Sequence, residues 1–212
     1  MFDPKLLTSK ARQASIQHLT QRLDALRAEI QERNPQHIAT LTDSIYQDGL
    51  FQLHLVGCPV AISYPDLRVY EAVSGADLPT YKQAILLYYF ITCDGTLPTG
   101  RWVSFAELPG GRFYNQAFQG YTGGDLTRFF GDDMDSFVRA ARALDGQELS
   151  CGDSGFVFKI LPYVSLAVVA WNGDEDFPAS YQVLFDKAVN HHLPTDVCAI
   201  LGSNLTQRLK DL

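Results

Sequence analysis

The sequence has few cysteines, no long apolar run and little positive charge, and each shortage removes a class of function. Four cysteines, Cys58, Cys93, Cys151 and Cys198, lie at least 35 residues apart and form no CxxC pair. That spacing supplies neither a zinc knuckle nor a contiguous iron–sulfur ligand set. Isolated cysteines in a chain of this size act as small buried hydrophobes. The longest apolar runs, "AILLYYFITC" and "LAVVAW", fall well short of a membrane span. The opening "MFDPKLLTSKARQ" has no apolar core of a signal peptide. A soluble, cytoplasmic protein away from membranes is therefore expected.

The formal charge is -7. Residues 1–33 carry six Lys/Arg against four Asp/Glu, and the remainder carries 11 against 20. An acidic body is a poor host for nucleic acid, whose affinity comes largely from phosphate neutralisation. With 212 residues, 46% of them hydrophobic, the chain can bury a core without disulfide or metal staples.

Residues 1–33 are expected as an N-terminal amphipathic helix and 34–212 as a single α+β domain. Ile16, Leu19, Leu23, Leu26 and Ile30 form a heptad seam. Two heptads suffice for a helix laid across its own domain, whereas a dimerising coiled coil normally needs three or four. A homodimer through this helix is the competing reading. Asn34-Pro35 breaks the chain and starts a second helix running to about Gln47. Three strands follow near 50–56, 60–63 and 67–72, punctuated by Gly57-Cys58-Pro59 and Tyr64-Pro65-Asp66. "PTYKQAILLYYFITC" is apolar almost all round and reads as a central helix. A helical stretch starts near 112, and "GDDMDSFVRAARAL" opens with acids suited to capping the helix that follows. "GFVFKILPYVSLAVVAW" reads as a hairpin. Helices over about 178–192 and 195–211 close the chain. The expected fold is α+β, a mainly antiparallel sheet of about five strands packed by helices, with a long N-terminal helix.

Two stretches stand out chemically. "WNGDEDFPASYQVLFDKAVNHHLPTD" (171–196) holds four Asp, one Glu and two His. Asp174, Glu175 and Asp176 precede Pro178 where a helix dipole favours acids, and His191 and His192 fall where it favours cations. The adjacent histidines point to different sides, unlike the i, i+4 pair of a zinc helix. Nor does the loop offer the alternating oxygens of a calcium site, so no metal site is expected. "GRWVSFAELPGGRFYNQAFQGYTGGDLTRFFG" (100–131) has eight aromatics and seven glycines with Arg101, Arg112 and Arg128 interleaved. A plain helix does not need so many glycines, at about 1 kcal/mol each against alanine. The mixture suits either a loop packed down by its own rings or a backbone presenting flat faces and guanidinium forks to a planar anion.

"GRWVSFAELPGGRFYNQAFQGYTGGDL", the preceding "AILLYYF…DGT" and "GDEDFPASYQVLFDKAVNHHLPTD" together resemble the Domain of Unknown Function 3786 family, over roughly residues 35–210. The resemblance implies no assigned activity. Some relatives join this domain to a cysteine-rich iron–sulfur module, implying association with metallocofactor or redox metabolism. This chain carries the heptad helix there instead, without cysteines.

Three functions are consistent with these residues. The first is a binding or accessory domain for a small molecule or cofactor, of planar, anionic, tetrapyrrole type. It would sit between the 100–124 and 174–192 segments, with Arg112, Tyr114, Tyr121, Asp186 and His192 supplying contacts. The second is an enzyme drawing acid and base from Glu107, Asp174, Glu175, Asp186 or His192. The third is an interaction module working through the heptad seam.

Overall fold

The computed structural model describes residues 13, 17 and 21–212. Within them, α1 (Leu23–Gln31) buries Leu23, Leu26 and Ile30. It lies on α3 (Thr80–Thr92), to which Arg27 is tied by a 2.9 Å hydrogen bond to Gln83 and Arg33 by a 2.8 Å bond to the Ile91 carbonyl. The described half of the heptad seam is thus covered by its own domain. Ile16 and Leu19 lie outside the described residues, as does the expected length of the helix before residue 21.

Asn34 caps α2 (Pro35–Thr42) by accepting from the Gln36 and His37 amides, with Pro35 at the first turn as its fixed φ favours. The helix stops at Thr42, not near Gln47, because Asp43 turns into the left-handed region and Ile45–Gln47 becomes a strand. That strand, β1, begins an antiparallel meander with β2 (Leu50–Leu55), β3 (Cys58–Ser63) and β4 (Val69–Glu71). In β2, Phe51, Leu53 and Leu55 face the core while Gln52 and His54 face out, the period of two that a half-buried strand requires.

Helix α3 buries every residue from Ala84 to Phe90, as expected of its all-round apolar sequence. Then come β5 (Trp102–Ser104), a 3-10 turn over Phe105–Glu107, α4 (Gly111–Tyr121), α5 (Gly123–Phe130) and α6 (Met134–Ala143). Asp133 caps α6 through the Ser136 amide, the ordinary role expected for that acidic cluster. Strands β6 (Gln147–Glu148), β7 (Ser154–Leu161), β8 (Val164–Trp171) and β9 (Ser180–Asp186) follow, and α7 (Thr195–Lys210) ends the chain.

The fold is α+β, with two antiparallel sheets instead of one: β1-β2-β3-β4 and β5-β9-β8-β7-β6. The expected helix over 178–192 is in fact β9 followed by a 3-10 turn, Lys187–His191. Tyr181, Val183 and Phe185 are its buried face, and Val168↔Val183 and Ala170↔Tyr181 pair it to β8. Central β8 is buried from Leu166 to Ala170, covered on both faces.

Candidate functional site

The 100–124 and 174–192 segments do meet, but rings fill the space between them. Phe105 stacks on Phe118 at 4.2 Å and 14°, and Phe185 of β9 lies 5.7 Å from Phe118. All three are fully buried or nearly so. The pocket expected between these segments is therefore packed core, because β9 brings Phe185 into it. Of the five residues expected to line that pocket, Arg112 and Tyr114 are exposed on α4. Tyr121 is half-buried, edge-on to Phe118.

Asp186 is 2% exposed and serves the backbone. Its carboxylate accepts from the Thr99 amide and hydroxyl, the Gly100 amide at 2.7 Å and the Ala188 amide at 2.8 Å. It pins the loop before β5 to the end of β9. Glu107 and Asp174 are similarly engaged, whereas Glu175 is exposed in the loop after β8. Glu107 completes a capping box with Ser104, whose amide and hydroxyl hold its carboxyl below the usual range. Asp174 closes a turn on the Asp176 and Phe177 amides and does not lead into a helix.

His192 has a different setting. The segments 93–94 and 191–192 lie against each other as two pairs, one inside and one outside. Outside, His191 Nδ1 lies 2.8 Å from Asp94, whose own oxygen also accepts the Thr96 amide. The hydrogen bond from His191 holds the Asp94 carboxyl well below its usual range. Inside, Cys93 Sγ lies 3.3 Å from His192 Nδ1 and 2.9 Å from the Leu41 carbonyl. A carbonyl can only accept, so the thiol proton points to Leu41 and the imidazole donates Nδ1–H to sulfur. This leaves Nε2 a bare acceptor, buried and without a hydrogen-bond partner.

Above the imidazole, the Tyr163 and Tyr89 rings lie 5.7 and 6.4 Å away. Tyr89 donates to the Thr42 carbonyl and accepts the Tyr163 amide. Burial pushes the Cys93 thiol up and the His192 imidazole down. Both shifts favour neutral partners, the opposite of a thiolate–imidazolium nucleophile. Nothing in the spacing of Cys93 marked this contact, since its partner lies 99 residues away. The expectation that His191 and His192 face different ways does hold: His192 is fully buried and His191 exposed.

The neutral His192 makes stability depend on pH. Its folded pKa lies below 6.5, so the unfolded chain binds more protons as the pH falls past that value. Stability present above pH 6.5 should be lost on acidification, with a slope of at most about 1.4 kcal/mol per pH unit from this one group. Urea midpoints from pH 7.5 to 5 measure it. His192→Gln should flatten that slope, and an unchanged slope would refute the assignment.

Leu41 and Thr42, the acceptors of this network, lead directly into Asp43, and Tyr163 follows Pro162. Asp43 and Pro162 line a cleft of about 540 Å³ between the two sheets. Its floor and walls include Leu53, Val56, Val60 and Phe158, with His54, Asp145 and Lys159 at its polar edges. Such a volume is ordinary for a small-molecule site. Three lining residues hold left-handed backbone without being glycine: Asp43 (φ 50°), Val56 (φ 50°) and Asp145 (φ 56°).

Val56 is the most costly of these. It forms with Gly57 the two-residue turn between β2 and β3, where asparagine–glycine is the usual choice. A β-branched residue there stores roughly 1–3 kcal/mol. The conformation is held by the Val56 amide, which donates to the Ile160 carbonyl at 2.8 Å, and by Arg208, which donates to the Val56 carbonyl.

The model of the family described as Domain of unknown function (DUF3786) matches residues 34–208. The chain belongs to the DUF3786 family. Curated proteins and solved structures gave no match. The match takes in the inter-sheet cleft and the Cys93–His192 contact, and leaves the helix before residue 34 outside the DUF3786 region. No helix of the described residues is long and apolar enough to cross a membrane. No group of three or more metal-ligating side chains occurs among the described residues.

Proposed function

We propose that this DUF3786 chain is a non-catalytic binding domain whose ligand is a small molecule held in the cleft between its two sheets. The observation that carries the reading is the cleft itself, about 540 Å³ in volume and lined by Val56, whose left-handed backbone is strained. Strain of this kind persists where the surrounding structure over-determines it, and it clusters at ligand clamps. An accessory role fits better than catalysis because Glu107, Asp174 and Asp186 cap backbone amides and the buried thiol and imidazole favour their neutral forms.

The lining also bears on the ligand's charge. Two acids, Asp43 and Asp145, and one lysine, Lys159, line the cleft. This balance disfavours the anionic ligand read from the Arg-rich middle segment and favours a neutral or cationic one with an apolar body. A tetrapyrrole-type cofactor is supported only if its acidic side chains reach Lys159 or His54 at the edge.

A panel of haem, corrinoid and chlorophyll-type ligands beside neutral and cationic aromatic amphiphiles tests the proposal by absorbance and thermal shift. At least one should bind saturably. Gln52→Trp, which places an indole in the cleft from an exposed strand position, should weaken that binding at least about tenfold with little change in Tm. Binding indifferent to Gln52→Trp would move the site elsewhere, and no binding across the panel would remove the proposal.

A further inference from the structure

A second, smaller cleft of about 190 Å³ lies on the other side of the Val56–Gly57 turn, between the start of α3 and the last turns of α7. Tyr81, Ile85, Leu201 and Leu205 give it apolar walls, and Lys82 and Arg208 line it as cations. Both cations are half-buried. Among the described residues, the other half-buried cations are Arg27, Arg33 and Lys210, and each has a carboxylate partner. The Lys82 ammonium has neither hydrogen bond nor ion pair among the described residues, and Arg208 makes one bond, to the Val56 carbonyl at 3.1 Å. Asp211, the acid at this cleft, is exposed and accepts from Gln207.

Two partly desolvated cations line one concavity whose acid, the exposed Asp211, forms an ion pair with neither, an arrangement that is costly unless an anion completes it. We infer that this cleft is a binding site for a small oxyanion, a phosphate or carboxylate group, held between Lys82 and Arg208. Arg208 contributes directional guanidinium donors and Lys82 a point charge, the complementary pair that such groups use. The apolar walls leave room for a short carbon body, so a small phosphorylated or carboxylated metabolite fits better than a polymer. The site shares Val56 and Ile160 with the large cleft but does not depend on that cleft having a ligand.

Calorimetric titration of the full chain with inorganic phosphate and with malonate, at constant ionic strength, distinguishes the two headgroups. At least one should bind saturably, and Lys82→Gln should weaken it about tenfold. Arg208→Gln should do likewise, but its bond to the turn risks a folding defect, so Lys82→Gln is the deciding variant. Arg101→Gln, an exposed cation outside the cleft, should leave the affinity unchanged. The site is overturned if neither anion binds saturably, if Lys82→Gln weakens binding less than about threefold, or if Arg101→Gln weakens it equally.

Discussion

Asp186→Ala is expected to lower the unfolding free energy by about 3 kcal/mol, and Asp186→Asn by roughly half that. The carboxylate is buried, and it accepts from three backbone amides and one hydroxyl. Alanine leaves the Thr99, Gly100 and Ala188 amides without that acceptor, and unmade bonds at partly buried donors cost more than formed ones contribute. Asparagine retains one acceptor oxygen but turns an NH2 group towards the remaining donors. Denaturant midpoints at pH 7 should shift with little change in slope, and Tm should fall about 6–12 °C for the alanine variant. A loss below about 0.5 kcal/mol, the ordinary range for surface substitutions, would mean that the carboxylate is not the anchor of the 99–100 loop. It would then again be available to a ligand.

The same residue shows how far the sequence could be followed. Asp186 was visible as an acid in a dense polar stretch, but its work depended on Thr99 and Gly100, 86 or 87 positions earlier. Elements governed by local pattern were legible. The 154–171 hairpin showed two β-prone runs about a turn, Ala84–Phe90 showed all-round apolar character, and Asn34-Pro35 showed a helix start.

Residues 180–186 were not legible in the same way. Tyr181, Leu184, Phe185 and Ala188 satisfy a helical stripe, while Tyr181, Val183 and Phe185 satisfy a strand's alternation equally well. Short apolar runs do not separate the two periods. The choice is made by β8, which offers Val168 and Ala170 as ladder partners to Val183 and Tyr181. Once that strand pairs, Phe185 must enter the ring cluster, and the expected pocket fills.

The clefts were illegible for a related reason. The large one is assembled from residues between Asp43 and Pro162, and its main signal is the backbone of Val56, which composition does not reveal. In sequence, Val56-Gly57 lacks the asparagine that would advertise a tight hairpin. It adopts that turn because Ile160 and Arg208, from distant segments, bind both of its peptide groups.

The largest loss of stability is expected at Phe118. Phe118→Ala should cost about 3–5 kcal/mol, the range for a large buried ring removed without collapse of its surroundings. Its ring stacks on Phe105, meets Phe185 and Tyr121, and fills the space where a side chain on Gly202 would stand: a Cβ there would lie 2.7 Å from the ring. One residue therefore joins α4 to the turn after β5, to β9 and to α7. Arg112→Ala and Tyr114→Ala, on exposed positions of the same helix, should stay within about 0.5 kcal/mol of the unsubstituted chain. Urea titrations of the three variants separate two accounts of the aromatic, glycine-rich segment. A large cost confined to Phe118 means that its rings chiefly build the domain. Comparable costs at Arg112 or Tyr114 would show that the exposed face is packed against something in solution, and the segment would return as a binding surface.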